Sequence, residues 1–133
     1  MSTLEFDNFS PEIAADAYVA DNARLIGRVK VDEGSGVFFG AVVRGYTEHI
    51  TVGRSSNIQD TAVIHADPGE PAVIGDHVSI GHGAVVHGCT VEDGSLIGMN
   101  AAVFNRAVIG AGSLVAAGAV VLEGSIIPRR DRW

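Results

Sequence analysis

Only one cysteine, Cys89, occurs in this chain of 133 residues, so no disulfide can close within it. Without a disulfide framework the cytoplasm is the expected compartment. Basic residues are also scarce. Nine Lys and Arg face sixteen Asp and Glu, for a net charge of −7. Nucleic-acid binding needs a basic footprint, and attraction to an anionic membrane surface needs basic clusters; neither is present. No apolar run approaches the length that spans a bilayer. Met1 to Ser10 lacks a basic stretch followed by an apolar one, so no secretory leader is expected. Aromatic residues are few, at 6%. The chain is rich instead in small and branched apolar residues, 47% hydrophobic overall, with seventeen glycines. The apolar residues run the whole length, which argues against disorder. The length fits one domain over residues 1–133.

Those apolar residues are periodic. Branched side chains recur every sixth position, first as Ile13, Val19, Leu25, Val31, Val37 and Val43. The period resumes at Val52, Ile58 and Ile64, then at Ile74, Ile80 and Val86, and finally from Val91 through Ile97, Val103, Ile109, Val115 and Val121 to Ile127. Four positions after an anchor the side chain is usually Ala or Ser, and glycine often follows the anchor directly, as at Gly53, Gly75, Gly81, Gly98 and Gly110. An α-helical stripe repeats at 3.6, so a period of six is not helical. A sandwich of alternating strands has no reason to hold one fixed period for so long. Short strands separated by corners do fit. Three hexads make a triangular coil of about 18 residues, stacked on the next at ~4.8 Å, with its core buried only by stacking. Residues 1–10 read as a lead-in, and Pro128 to Trp133 as a tail too short and polar to extend the core. Three breaks interrupt the count: three extra residues after Val43, four after Ile64, and one missing after Val86. Asp67-Pro68-Gly69-Glu70-Pro71 reads as a loop thrown out of a corner.

Counting hexads instead of residues places Val43, Ile64 and Val86 on one face of successive coils. Their followers Arg44, His65 and His87 then form an outward column at strand spacing. His82 follows Ile80 by two positions on the preceding face, near a corner, where Asp60 stands one coil earlier. His82 cannot easily reach the pair within one chain; a neighbouring molecule in a closed ring could supply it. Taken alone, each histidine reads as ordinary surface. A stacked pair with a third at an adjoining corner reads as a metal set, because three imidazoles with an open position are a zinc ligand set that makes bound water acidic. His49 and His77 read as structural or solvent-facing, and Cys89 as a small packed side chain.

Several stretches carry a resemblance: Arg44-Gly45, Asn57-Ile58-Gln59-Asp60, His65, Gly81-His82, His87-Gly88-Cys89 and Ile97-Gly98-Met99. From about Phe9 to Ile127 the chain resembles the γ-class carbonic anhydrases and their relatives among the hexapeptide-repeat proteins. The resemblance implies an all-β fold, a left-handed parallel β-helix, whereas the usual crossover preference points to the right hand. It implies a homotrimer with metal sites between subunits, His65 and His87 coming from one chain and His82 from the next. It implies Zn2+, with Fe2+ or Co2+ also compatible with three imidazoles. Gln59 resembles the residue that hydrogen-bonds the metal-bound water, Asn57 one that orients substrate, and Arg44 with Asp60 a charged pair at the subunit boundary. Two departures stand out. The usual Arg-Gly-Asp is here Arg44-Gly45-Tyr46, and no segment corresponds to the relatives' C-terminal helix. Glu70 sits in the loop after His65, but the acidic loop that carries a proton-shuttling glutamate in the most active members is not seen. The implied activity is reversible hydration of carbon dioxide to bicarbonate by a metal-bound hydroxide. Hydrolysis of a thioester such as an acyl-CoA, acyl transfer, and a structural trimer with weak or no activity are the competing readings.

Overall fold

The computed structural model describes residues 2–133. They form a left-handed parallel β-helix of about seven coils, with no helix among the described residues. Each face of the triangle is a ladder of very short strands. One face stacks six strands, from Tyr18–Val19 through Asn57–Ile58 and Ser79–Ile80 to Leu114–Val115. The other two faces belong to a single sheet, because the strands Arg24–Val31 and Val42–Val52 run unbroken around the corner between them.

The hexads act as the period suggests. Leu25, Val43, Ile64, Val86, Val103 and Val121 lie in one fully buried column inside the second face. The small residues four positions on fill the corners. Ser35, Ser56, Ser95 and Ser113 are buried there, and each hydroxyl donates to a backbone carbonyl of the next coil at 2.6–2.9 Å. A buried hydroxyl without such a partner would be destabilising.

Two classes of glycine make this stacking possible. Gly75, Gly81 and Gly98 have no room for a side chain: an added Cβ would fall within 2.8 Å of the next coil. Gly94, Gly112 and Gly118 instead occupy corners in the left-handed backbone region. Ser55, Thr61, His77, Asn100 and Arg106 hold the same conformation at their corners, where a side chain is disfavoured. Corner duty is thus what the exposed His77 does.

The structure departs from the sequence reading at both ends and at one break. Within the supposed lead-in, Thr3–Leu4 already pair with Leu25–Ile26 as a rung of the ladder. The hexad count missed them because the loop closed by Phe6 and Phe9 intervenes. The tail adds nothing to the core, but it extends the first face: Leu114 N–H donates to the Asp131 carbonyl, Trp133 N–H donates to the Leu114 carbonyl, and the Trp133 carbonyl accepts from Ala116 N–H. The three residues extra after Val43 do not interrupt their strand. They form a bulge, with Gly45 to Ile50 lying opposite Gly27 to Val29. No helix among the described residues is long and apolar enough to cross a membrane.

Truncating the central column tests the packing. Ile64→Ala removes a fully buried side chain between Val43 and Val86, and should cost about 2–5 kcal/mol, read from the urea midpoint.

Candidate metal centre

The parallel register brings two histidines together. Val63–His65 pairs with Val85–His87 so that His65 lies directly opposite His87, and Arg44 lies opposite His65 on the other side. The rings are 4.6 Å apart, and His65 Nδ1 is 2.7 Å from His87 Nε2. Both side chains are mostly covered, 17% and 26% exposed. Burial, then the nearby Arg44 and His87, holds the pKa of His65 below the usual imidazole value, against the opposing charge of Asp67. The ring is therefore neutral at neutral pH, as a metal ligand must be.

A third group, not anticipated from the sequence, completes this cluster. Asp67 stands with its carboxylate oxygens 3.9 Å from His65 Nδ1 and 3.9 Å from His87 Nδ1. Among the described residues, His65, Asp67 and His87 form the one group of His, Cys, Asp or Glu close enough to hold an ion. The donor set suits a borderline divalent cation: two imidazoles and a carboxylate.

His82 lies outside that group. It and His87 sit at opposite ends of one coil segment, since Val85–His87 follows the corner that His82 opens. His82 faces Asp60, with Nδ1 3.5 Å from Oδ1, and both are substantially exposed. Gln59, Asp60 and His82 share an open groove with Asn57. There Gln59 Nε2 donates to Asn57 Oδ1 at 2.9 Å, and Asn57 Nδ2 donates to Ser79 Oγ at 3.0 Å. The sequence-derived residues therefore fall into two clusters, Arg44, His65 and His87 at the far edge of one face, and Asn57, Gln59, Asp60 and His82 around the corner that precedes that face.

Tyr46 has a definite role beside Arg44. The guanidinium lies over the Tyr46 ring at 5.0 Å, and Phe6 stacks on that ring at 4.4 Å. A cation–π contact takes up the charge where a carboxylate was expected. Arg44 Nε is buried without a hydrogen-bond partner. Cys89 is buried, and its thiol is pushed up to about 12 by that burial, so it stays protonated and packs as a small apolar group.

The loop after His65 is fastened at two points. Glu48 accepts from the backbone N–H of His49 and of Gly69, each at 2.9 Å. Glu70 accepts from Arg106 and from Asn105 Nδ2, and Arg106 also binds Glu123. Glu70 is thus tied down as a clamp. Asn105 was also missed in the sequence. It lies two positions past Val103 at a corner, the same offset that His82 has from Ile80, and that parallel was the available signal.

No protein-family model matches the chain. It is 39% identical over 130 residues to the mitochondrial gamma carbonic anhydrase 2 of Arabidopsis thaliana, an alignment covering 93% of this chain and 47% of that protein. It is 38% identical over 126 residues to the carnitine operon protein CaiE of Escherichia coli K12, covering 93% of this chain and 63% of that one. The fold matches the crystal structure of a hexapeptide transferase family protein from Anaplasma phagocytophilum with a TM-score of 0.95 at 36% identity, over 98% of this chain and 77% of that chain. The chain spans about half the length of the first curated relative and less than two thirds of the second.

The loop fastening should depend on pH. The two backbone N–H groups hold the Glu48 carboxyl below its usual range, and Arg106, then Asn105, do the same for Glu70. A lowered folded-state pKa gives stability that is complete above the unfolded value, about 4.3, and is lost as pH falls through the folded one. The protection of the Gly69 amide, measured against its intrinsic exchange rate, should therefore fall below about pH 4. Glu48→Gln should remove that dependence at Gly69.

Proposed function

Since the chain belongs to the γ-class carbonic anhydrase-like family of hexapeptide-repeat β-helix proteins, we propose that it catalyses reversible hydration of carbon dioxide at metal sites shared between the subunits of a homotrimer. The observation that carries this reading is the in-register pair His65 and His87, with the exposed His82 and the half-buried Gln59 lining a groove at the corner that precedes them. A chain with half a ligand set at each edge completes the site by ring closure, each edge meeting the opposite edge of a neighbour.

His65 and His87 from one subunit, with His82 from the next, would hold the ion; zinc is the best fit, and iron or cobalt suit the same imidazoles. A divalent ion so held lowers the pKa of water to about 7, which supplies the nucleophile at neutral pH. Gln59 is already oriented for its part. Its amide nitrogen donates to Asn57, which leaves its oxygen free to accept from water. Asn57 is fixed in turn by Ser79 and acts by holding Gln59 and bordering the substrate space. Arg44, steadied by Tyr46, supplies positive charge beside the pair and a buried N–H for an anion such as bicarbonate or for a carboxylate across the boundary, where Asp60 is the candidate. Glu70, clamped by Arg106 and Asn105, is a poor mobile proton carrier, so buffer would return the proton.

A second reading, acyl transfer or hydrolysis of an acyl thioester, is favoured by the likeness to the hexapeptide transferase family structure. A structural trimer with no activity is the third.

Native mass spectrometry with metal analysis should find a trimer with one ion per subunit. The metal-loaded trimer should hydrate carbon dioxide faster than metal-matched buffer. His82→Ala should keep the trimer and lose most of the ion and the activity. Turnover of acyl-CoA without hydration would establish the second reading instead, and a loaded trimer inert to both would establish the third.

A further inference from the structure

We propose that Asn105 is a positioning residue that fixes the tautomer of His87, so that Nε2 is the atom offered to a metal ion. The metal half of this assignment rests on the reading of His87 as a ligand; the tautomer half does not.

Two loop carboxylates fix which way the Asn105 amide faces. Asn105 Nδ2 is 3.0 Å from Asp67 Oδ2 and 2.7 Å from Glu70 Oε1. Carboxylates only accept hydrogen bonds, so the amide nitrogen must be the end that faces them. Turning the amide over would set its carbonyl oxygen against two negative groups. The oxygen of Asn105 therefore faces His87 Nδ1, at 2.8 Å. A carbonyl oxygen also only accepts, so the hydrogen in that bond belongs to His87 Nδ1. In the neutral ring Nε2 then carries a lone pair. Nε2 lies 2.7 Å from His65 Nδ1, which must be the donor in that contact. One asparagine thus sets the hydrogens of two imidazoles in sequence.

The surroundings hold Asn105 in that pose. It is 7% exposed, so solvent offers its amide no alternative partners. Gly88 makes room for it: a Cβ there would lie 2.9 Å from Asn105 Nδ2 and 3.1 Å from the Glu70 carbonyl oxygen. Glu70 is itself held by Arg106. A ligand imidazole whose second nitrogen has a fixed acceptor binds metal more tightly, and losing such a partner costs roughly 10–100-fold in affinity.

The test uses the full chain in its assembled, chelator-treated form, with long-range 1H–15N spectra of the histidine rings. His87 should appear as the neutral ring protonated on Nδ1. Asn105→Leu should give a mixture of tautomers and weaken zinc binding by roughly 10–100-fold. Asn105→Asp keeps an acceptor for Nδ1 and, made together with Asp67→Asn and Glu70→Gln so that donors face it, should keep the tautomer. Wild-type His87 protonated on Nε2 would overturn the proposal, as would an Asn105→Leu protein with unchanged tautomer and zinc affinity. Should Asn105→Leu fail to fold, the wild-type spectrum and the triple variant still decide the tautomer. Zinc that leaves both rings unchanged in a wild-type protein of the stated tautomer would remove the metal reading and leave the Asn105 assignment in place.

Discussion

Stacking of one coil on the next at a single strand spacing, in parallel register, governs everything else in this molecule. Parallel pairing sets like residue against like, so each position of the repeat becomes a column. Inward columns are branched and dry, corner columns are small or left-handed, and outward columns are open to variation. One outward column carries Arg44, His65 and His87 in succession. No loop has to fold correctly to bring the two imidazoles together; the ladder does it.

The same constraint explains why the site is incomplete in one chain. Strands of two or three residues leave little freedom to move a side chain from one edge of a face to the other. His82 therefore stays at its corner with Asp60, and His65 and His87 stay with Asp67 and Asn105. What the ladder does not supply, the two extra segments do. The bulge brings Tyr46 under Arg44 and sends Glu48 to Gly69, and the loop after His65 delivers Asp67 and Glu70. Polar groups that would otherwise be loosely placed on a solenoid surface are cross-tied into a compact network.

Legibility in the sequence followed the same division. The triangular solenoid, the buried anchors and the pairing of His65 with His87 could all be read, because insertions shift the residue count but not the hexad count. The partner of Arg44 could not. A missing carboxylate at Tyr46 reads as a loss, and only the ring stack with Phe6 reveals a replacement. Asp67 was hidden because a loop follows no period, and Asn105 because corner side chains do not obey the alternation of a strand. The rung at Thr3–Leu4 was hidden because no anchor spacing links it to Ile13. Handedness was not in the repeat at all. It came from the resemblance, and the match to hexapeptide-repeat β-helix proteins bears it out.

The bulge opposite Gly27 has a consequence of another kind. A repeating column has no natural origin, so a chain of near-identical hexads could slide by a whole coil and still bury its anchors. The bulge, the loop after His65 and the shortened corner at Gly88 fall on successive turns and nowhere else. Together they work as an index mark. A slipped stack would leave Glu48 without Gly69 and Asn105 without its two carboxylates. The irregularities that give the site its chemistry thereby also tell the fold which turn is which.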